Sequence, residues 1–334
     1  MGWTVAIGVD THKDVHVAVA CDRLGGQLDA FEVAATERGH ACLLAWAESL
    51  GRPAFAIEGC GSYGAGLAGF LLAAGLPVWE CERPRRSERR RGKSDLIDAA
   101  LAARRLVSGE GLSLPRGGGA GREQLRLLLL ERRGAVQART AALNQLQAAA
   151  LTPALSERLR TLSGEKLTRT CLRLRPASVE QTIMRRLARR VLQLESELVD
   201  VDAQLTAAIG AVAPRLLDEC GVGAICAAQL IVSSGDPARM RSEAAFAALA
   251  GTSPVDASSG RQHRHRLNRG GDRQLNRALH VIALSRIRHH EQTRGYYQRL
   301  LESGKTTREA RRCVKRALAR HFYRQLRTLE PLTT

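Results

Sequence analysis

The chain has 334 residues, 44% of them hydrophobic, with 51 Lys and Arg against 33 Asp and Glu, for a formal net charge of +18. That length exceeds one ordinary hydrophobic core, so two or three domains are expected. The charge implies a polyanionic partner, nucleic acid before any other. No apolar run approaches the roughly 18 residues that span a bilayer, and no secretory leader is present, so a soluble, cytoplasmic protein is expected. Eight cysteines without a Cys-x-x-Cys pair are expected as reduced thiols rather than a disulfide scaffold.

Taken in chain order, residues 4–9 and 15–20 are two β-rich runs joined by a short polar turn, which predicts a hairpin. A helix is expected near 37–50, a strand at 54–57, a glycine-rich turn and helix reaching Ala74, a strand at 77–79, and a helix over 94–107. A hairpin followed by alternating strands and helices implies an α/β domain, a mixed sheet flanked by helices, over 1–116. Gly117, Gly118, Gly119 and Gly121 mark a linker. Beyond it Met184, Leu187, Val191, Leu194, Leu198, Val201, Leu205 and Ala208 recur at spacings of three and four, the seam of a coiled coil, with residues 121–151 as the antiparallel partner; this part is expected over 117–210. From 211 to 334 a mostly helical domain follows. It holds the charge: residues 261–327 carry 19 Lys and Arg but 4 Asp and Glu, a density that repels itself unless phosphates neutralise it.

Four acids stand where chemistry is usually placed. Asp10 follows the first strand and Glu58 closes the 54–57 strand, while Asp95 and Asp98, three apart at a helix start, project from one face. Singly, each has a plain structural reading as turn residue, strand-end polar group or first-turn acid. Together they are oxygen donors that repel one another unless a cation lies between them, and Mg²⁺ suits such donors, with Mn²⁺ as the alternative. Two ions about 3.5 to 4 Å apart would stabilise both the attacking and the leaving oxygen of a phosphoryl transfer.

Arg83, Arg85, Arg86, Arg89, Arg90, Arg91 and Lys93 precede the acidic pair, a strip that could hold a phosphate backbone. Gly221 and Gly223 lie in a turn like that of a helix-hairpin-helix, which exposes backbone N–H groups to phosphate. Ser258-Ser259-Gly260 is by chemistry alone a turn, but its surroundings of Arg261, Arg264, Arg266, Arg269, Arg273 and Arg277 would favour a hydroxyl near phosphate and its alkoxide form. His263 and His265 lack a partner at ligand spacing and are read as phosphate contacts or exposed residues. Tyr296 and Tyr297 are read as packing in an amphipathic helix.

Gly8-Val9-Asp10-Thr11-His12-Lys13, the Ile57 to Tyr63 segment and Gly92-Lys93-Ser94-Asp95-Leu96-Ile97-Asp98-Ala99 resemble, in order and spacing, the four-acid (DEDD) signature of the insertion-sequence 110 family of transposases, relatives of the Piv and MooV DNA invertases. The resemblance covers nearly the whole chain. It implies a RuvC-like, RNase H-like fold for the first domain, and a second domain in which the serine just before glycine, here Ser259, with Ser258 adjacent and chemically equivalent, forms a covalent link to DNA. Arg269 stands where the family usually has lysine, which keeps the charge and removes any lysine-specific role. The resemblance further implies a transposase that excises and inserts its own element. A composite site would form in a dimer or tetramer from the acids of one subunit and the serine of another, and a structured, element-encoded RNA would pair with donor and target DNA. Two other readings fit the residues: a metal-only resolvase or nuclease, and a non-catalytic nucleic-acid-binding protein.

Overall fold

The computed structural model describes residues 2–81, 94–115, 119–152, 157–235, 239–256, 265–266, 268 and 270–329. Two compact units divide the chain, residues 1–117 and 118–334.

Unit 1 runs β1 (Val5–Thr11), β2 (Val15–Cys21), β3 (Gln27–Ala34), α1 (Glu37–Ser49), β4 (Pro53–Glu58), α2 (Ala65–Ala73), β5 (Val78–Cys81), α3 (Asp95–Ser108) and β6 (Leu112–Ser113). Its six strands form one sheet in the order β3-β2-β1-β4-β5-β6. β1, β2 and β3 are successively antiparallel, β4 and β5 join β1 in parallel, and β6 is antiparallel to β5. The hairpin, the strands and the helices expected from the sequence are all present, as is the mixed sheet. β3 and β6 were not expected: β3 buries only Val33 and carries Asp29 and Glu32, so it lacks a clean apolar alternation and is held by its ladder to β2.

β1 is buried along its whole length because both of its faces are covered. Val5, Ile7 and Val9, with Phe55 and Ile57 of β4, pack against Leu43 and Ala47 of α1 and Leu67 and Leu71 of α2. The opposite face is made of small side chains, Ala6, Ala54 and Ala56, which meet Ala102 and Leu106 of α3. Gly8 lies on that face, where a Cβ would stand 2.0 Å from the Ala99 carbonyl oxygen and 2.2 Å from the Ala103 nitrogen. Only glycine lets α3 lie this close to β1.

Unit 2 runs α4 (Gly119–Ala150), α5 (Glu157–Arg160), α6 (Gly164–Leu172), α7 (Val179–Val212), α8 (Pro214–Leu217), α9 (Ala224–Ser234), α10 (Glu243–Leu249), β7 (Val255–Asp256), β8 (His265–Arg266), α11 (Arg273–His289), α12 (Glu291–Glu302) and α13 (Thr307–Leu326). Of the glycines read as a linker, Gly119 and Gly121 belong to the start of α4, and Gly117 and Gly118 lie outside the described residues. α4 and α7 lie antiparallel, with Arg132 paired to Asp202 at 2.5 Å and Arg139 to Glu195 at 2.7 Å. The stripe that α7 buries is Met184, Ala188, Val191, Val201, Leu205 and Ile209, so Leu187, Leu194, Leu198 and Ala208 of the expected seam are half-buried beside it. Met184 to Ile209 is about seven turns at 3.6 residues per turn, and a straight helix drifts from a 3.5-residue repeat by about 20° per heptad. One end of the helix pair is sealed by Leu167, Cys171 and Leu159. At the other, Leu125, Leu205 and Ile209 join Phe246, Leu279, Ile282 and Phe322 in a single core.

Candidate metal centre and nucleic-acid interface

Chain geometry carries the acids to one edge of the first sheet. Alternate residues of a strand share a face, so Asp10 follows Ala6 and Gly8, and Glu58 follows Ala54 and Ala56, onto the face that α3 covers. The parallel register sets Val9 opposite Ile57, which puts Asp10 and Glu58 side by side at the ends of neighbouring strands. The Thr11 hydroxyl donates to the Glu58 carbonyl at 2.7 Å and ties those ends together. α3 starts over the same edge, with Asp95 its first residue and Asp98 one turn on, its backbone N–H donating to the Ser94 carbonyl at 3.0 Å. Asp10, Glu58 and Asp98 are buried, while Asp95 is exposed.

Burial raises the Asp10 carboxyl above its ordinary value, and the negative charges of Asp95 and Asp98 push the same way against the opposing pull of His12. Glu58 acts on a different neighbour: it pairs in register with Cys81, whose thiol is pushed up to about 12, by burial first and then by the Glu58 charge.

His12 was not among the residues singled out by sequence reasoning. It occupies the turn after β1, where its backbone N–H donates to the Val15 carbonyl at 3.0 Å. Its Nε2 lies 3.4 Å from Asp10 Oδ2 and 3.3 Å from Asp95 Oδ2. Among the described residues the donor atoms of Asp10, His12 and Asp95 all fall within 4.8 Å of one another. The available signal was position: His12 stands two residues from Asp10, which brings it to the same strand end. Two carboxylates and one imidazole with donor atoms this close are a set that a divalent cation fits.

In unit 2 the turn at Gly221 to Gly223 opens α9, with Gly223 as its N-cap. Gly221 has φ +80°, and a Cβ there would stand 2.9 Å from Ser285 Cβ, so this glycine is required by packing against α11. Nothing lies within 4 Å of a Cβ at Gly223. From behind, the turn is clasped by Arg286, which donates to the Cys220 carbonyl at 2.7 Å and pairs with Glu219. The element before the turn, α8, has four residues.

β7 and β8 pair antiparallel, Val255 opposite Arg266 and Asp256 opposite His265. The segment joining them, 257–264, contains Ser258, Ser259, Arg261, His263 and Arg264. These residues lie outside the described ones, as do Arg83, Arg85, Arg86, Arg89, Arg90, Arg91, Lys93 and Arg269, and the side chain of Arg266. Arg273 and Arg277 are exposed, one turn apart on α11. Asp272 caps that helix, accepting from the Gln274 and Leu275 N–H groups at 2.8 and 3.1 Å. Tyr296 and Tyr297 are half-buried against the unit 2 core. No helix among the described residues is long and apolar enough to cross a membrane.

Residues 7–152 match a transposase family model, the DEDD transposase of IS110 elements, and residues 213–298 match a second, "Transposase IS116/IS110/IS902 family". The chain is 36% identical to the "Insertion element IS110 uncharacterized 43.6 kDa protein" of Streptomyces coelicolor, over 33% of this chain and 28% of that protein. It is 27% identical to the "Insertion element IS900 uncharacterized 42 kDa protein" of Mycobacterium paratuberculosis, over 93% of this chain and 92% of that protein.

Proposed function

We propose that this chain, which belongs to the IS116/IS110/IS902 family of transposases, mobilises an insertion element by cutting and rejoining DNA with two sets of residues, the acids of unit 1 and a serine of unit 2. The observation that supports this most directly is the convergence of Asp10, His12 and Asp95, with Asp98 one turn along α3 and Glu58 on the adjacent strand end.

Asp10, Glu58, Asp95 and Asp98 would hold divalent metal, Mg²⁺ or Mn²⁺, which supplies Lewis-acid neutralisation of charge on a phosphodiester. The protein's own part is to keep those oxygens fixed. The β1 and β4 ends set two of them, and the first turn of α3, seated by Gly8, sets the other two. His12, 3.4 Å from Asp10 and 3.3 Å from Asp95, would offer an imidazole nitrogen to the same cation. In unit 2 the serine oxygen, Ser259 with Ser258 as its alternative, attacks the scissile phosphorus. The bond to the leaving nucleotide oxygen breaks, and the DNA end is held as a serine phosphodiester until a second strand's hydroxyl displaces it. Arg261, Arg264, Arg266, Arg269, Arg273 and Arg277 would hold backbone phosphates near that serine, and Arg85, Arg86, Arg89, Arg90, Arg91 and Lys93 those near the acids. Gly223, open at the start of α9, offers a backbone N–H end to a further phosphate.

A net charge of +18 suits a protein that carries DNA together with a structured guide RNA, in which case sequence choice lies in base pairing. Incubating the protein with element-end DNA, with and without RNA transcribed from the element flanks and with and without Mg²⁺, tests both parts. Cleavage is expected only with Mg²⁺ and more strongly with RNA. Asp10→Asn should abolish it. Cleavage that survives chelation would refute the metal role, and cleavage indifferent to RNA would leave the DNA reading without its guide.

A further inference from the structure

Lys315 is an ammonium buried to 8% exposure in the middle of α13. Its Nζ donates to Asn276 Oδ1 of α11 at 2.7 Å, and among the described residues no carboxylate lies within ion-pair distance of it. A neutral amide does not repay the loss of hydration of a buried cation. The neighbouring charges make that cost larger. Arg312 stands near enough to depress the Lys315 ammonium, after burial itself, and Lys315 and Arg311 act on His280 in the same way. Asn276 and His280 are one turn apart on α11, as Arg311 and Lys315 are on α13, so these side chains form one basic seam.

The other face of α13 is arranged differently. Arg316, Arg320 and Arg324, each one turn from the next, all turn towards Glu243, at 3.9, 2.6 and 3.9 Å. One stripe of the helix therefore has an acid inside the protein, and the stripe around Lys315 has none among the described residues. The seam also sits at the root of the segment carrying the serines. Asn276 Nδ2 donates to the carbonyls of Ala250 at 2.7 Å and Gly251 at 3.2 Å, in the turn that leads to β7. Gly251 is left-handed at φ +62°, and Gly271 approaches it so closely that a Cβ there would lie 2.4 Å from the Gly251 nitrogen.

We infer that the α11–α13 seam is a binding site for a backbone phosphate of the DNA strand, with Lys315 as its central cation and His280 and Arg311 at its rim, next to the Gly251 turn. The missing anion is then supplied by the ligand, and its arrival repays the desolvation of Lys315. This inference rests on the DNA-processing reading above and assigns one phosphate of that substrate to named residues.

The test is the salt dependence of binding of a fluorescent 20-base-pair duplex to the full chain, with thermal unfolding measured alongside, for wild type, Lys315→Met, Arg311→Gln and Arg320→Gln. Each phosphate contact contributes about 0.9 to the slope of log K against log salt for duplex DNA. Lys315→Met keeps the aliphatic stem and should lower that slope by about 0.9, with a melting temperature equal to or above wild type, because an unpaired buried charge has been removed. Arg311→Gln, half-buried at the rim, should lower the slope without touching Asn276, and it carries the test if Lys315→Met fails to fold. Arg320→Gln, paired inside the protein, should leave the slope as in wild type. A wild-type slope in both seam variants overturns the site, as does a lower melting temperature with no change in slope, which would make Lys315 a structural strut. A loss of slope confined to a single-stranded RNA probe overturns the assignment to DNA. Failure of wild type to bind any duplex would instead refute the DNA reading itself.

Discussion

Asp10 is a carboxylate kept near two others by backbone geometry, and the free protein bears the cost. Its proton affinity is raised by burial and then by Asp95 and Asp98. A cation that binds the folded cluster and not the unfolded chain adds stability by mass action, about 2.7 kcal/mol at a hundred-fold excess over its Kd. Millimolar Mn²⁺ or Mg²⁺ should therefore raise the melting temperature of wild type by several degrees and leave Asp10→Asn unchanged, a comparison that calorimetry makes directly. Asp10→Asn should itself be at least as stable as wild type in chelator, since it removes one of the repelling charges. A second residue gives a prediction of opposite chemistry. His16 is fully buried in β2, stacked on His40 with ring centroids 5.6 Å apart, and neither of its ring nitrogens has a hydrogen-bond partner. Burial, and then the charge on His40, lower its proton affinity from the ordinary 6.5. A histidine whose folded value is depressed is protonated first in the unfolded chain, so stability is present above pH 6.5 and is lost as pH falls below it. Melting temperatures measured between pH 7.5 and 5.5 should decline for wild type and decline less for His16→Phe. Equal declines would show that other groups control this range.

At the scale of elements, the contact that sets the candidate metal centre is β1 against α3. Gly8 stands 2.0 Å, as a notional Cβ, from a backbone oxygen that cannot rotate away. Gly8→Ala should cost about 1–3 kcal/mol by overpacking and should weaken cation binding along with stability, because Asp95 and Asp98 travel with the displaced helix. An unchanged unfolding midpoint would mean that α3 is free to shift. The same contact shows how much of the site was legible in advance. Asp10, Glu58, Asp95 and Asp98 could be read from strand ends and a three-residue spacing, and the hairpin and alternating elements from apolar periodicity, whereas the close approach at Gly8 could not. His12 could not, because one histidine in a turn has no period and its meaning depends on α3 arriving overhead. β3 escaped for a related reason: as an edge strand its stability comes from the ladder to β2, and its side chains need not alternate. The basic seam at Lys315 was hidden inside a generally basic stretch. What sets it apart is that Arg316, Arg320 and Arg324 share the carboxylate of Glu243, while among the described residues no carboxylate pairs with Lys315.

At the scale of the molecule, the family resemblance implies a site shared between subunits. The long helices leave Leu127 and Leu130 of α4 and Leu192 and Val199 of α7 exposed, the last two spaced by a heptad. Exposed apolar rows of this kind on paired helices suit association with a second copy. Sedimentation velocity should find a dimer or larger species for wild type and a shift towards monomer for the Leu192→Glu, Val199→Glu double variant, with melting of the monomer little affected. Unchanged sedimentation would place the association elsewhere.

The central proposal is that a serine of unit 2, working with the acids of unit 1, takes the DNA end covalently. Its most direct measurement is a denaturing gel that detects protein-linked DNA after incubation with labelled element-end DNA, flank-derived RNA and Mg²⁺. Wild type and Ser258→Ala should give the adduct, and Ser259→Ala and Asp10→Ala should not. DNA cut without any adduct, and cut equally well by Ser259→Ala, would contradict the account and leave the acids acting as a metal-only nuclease.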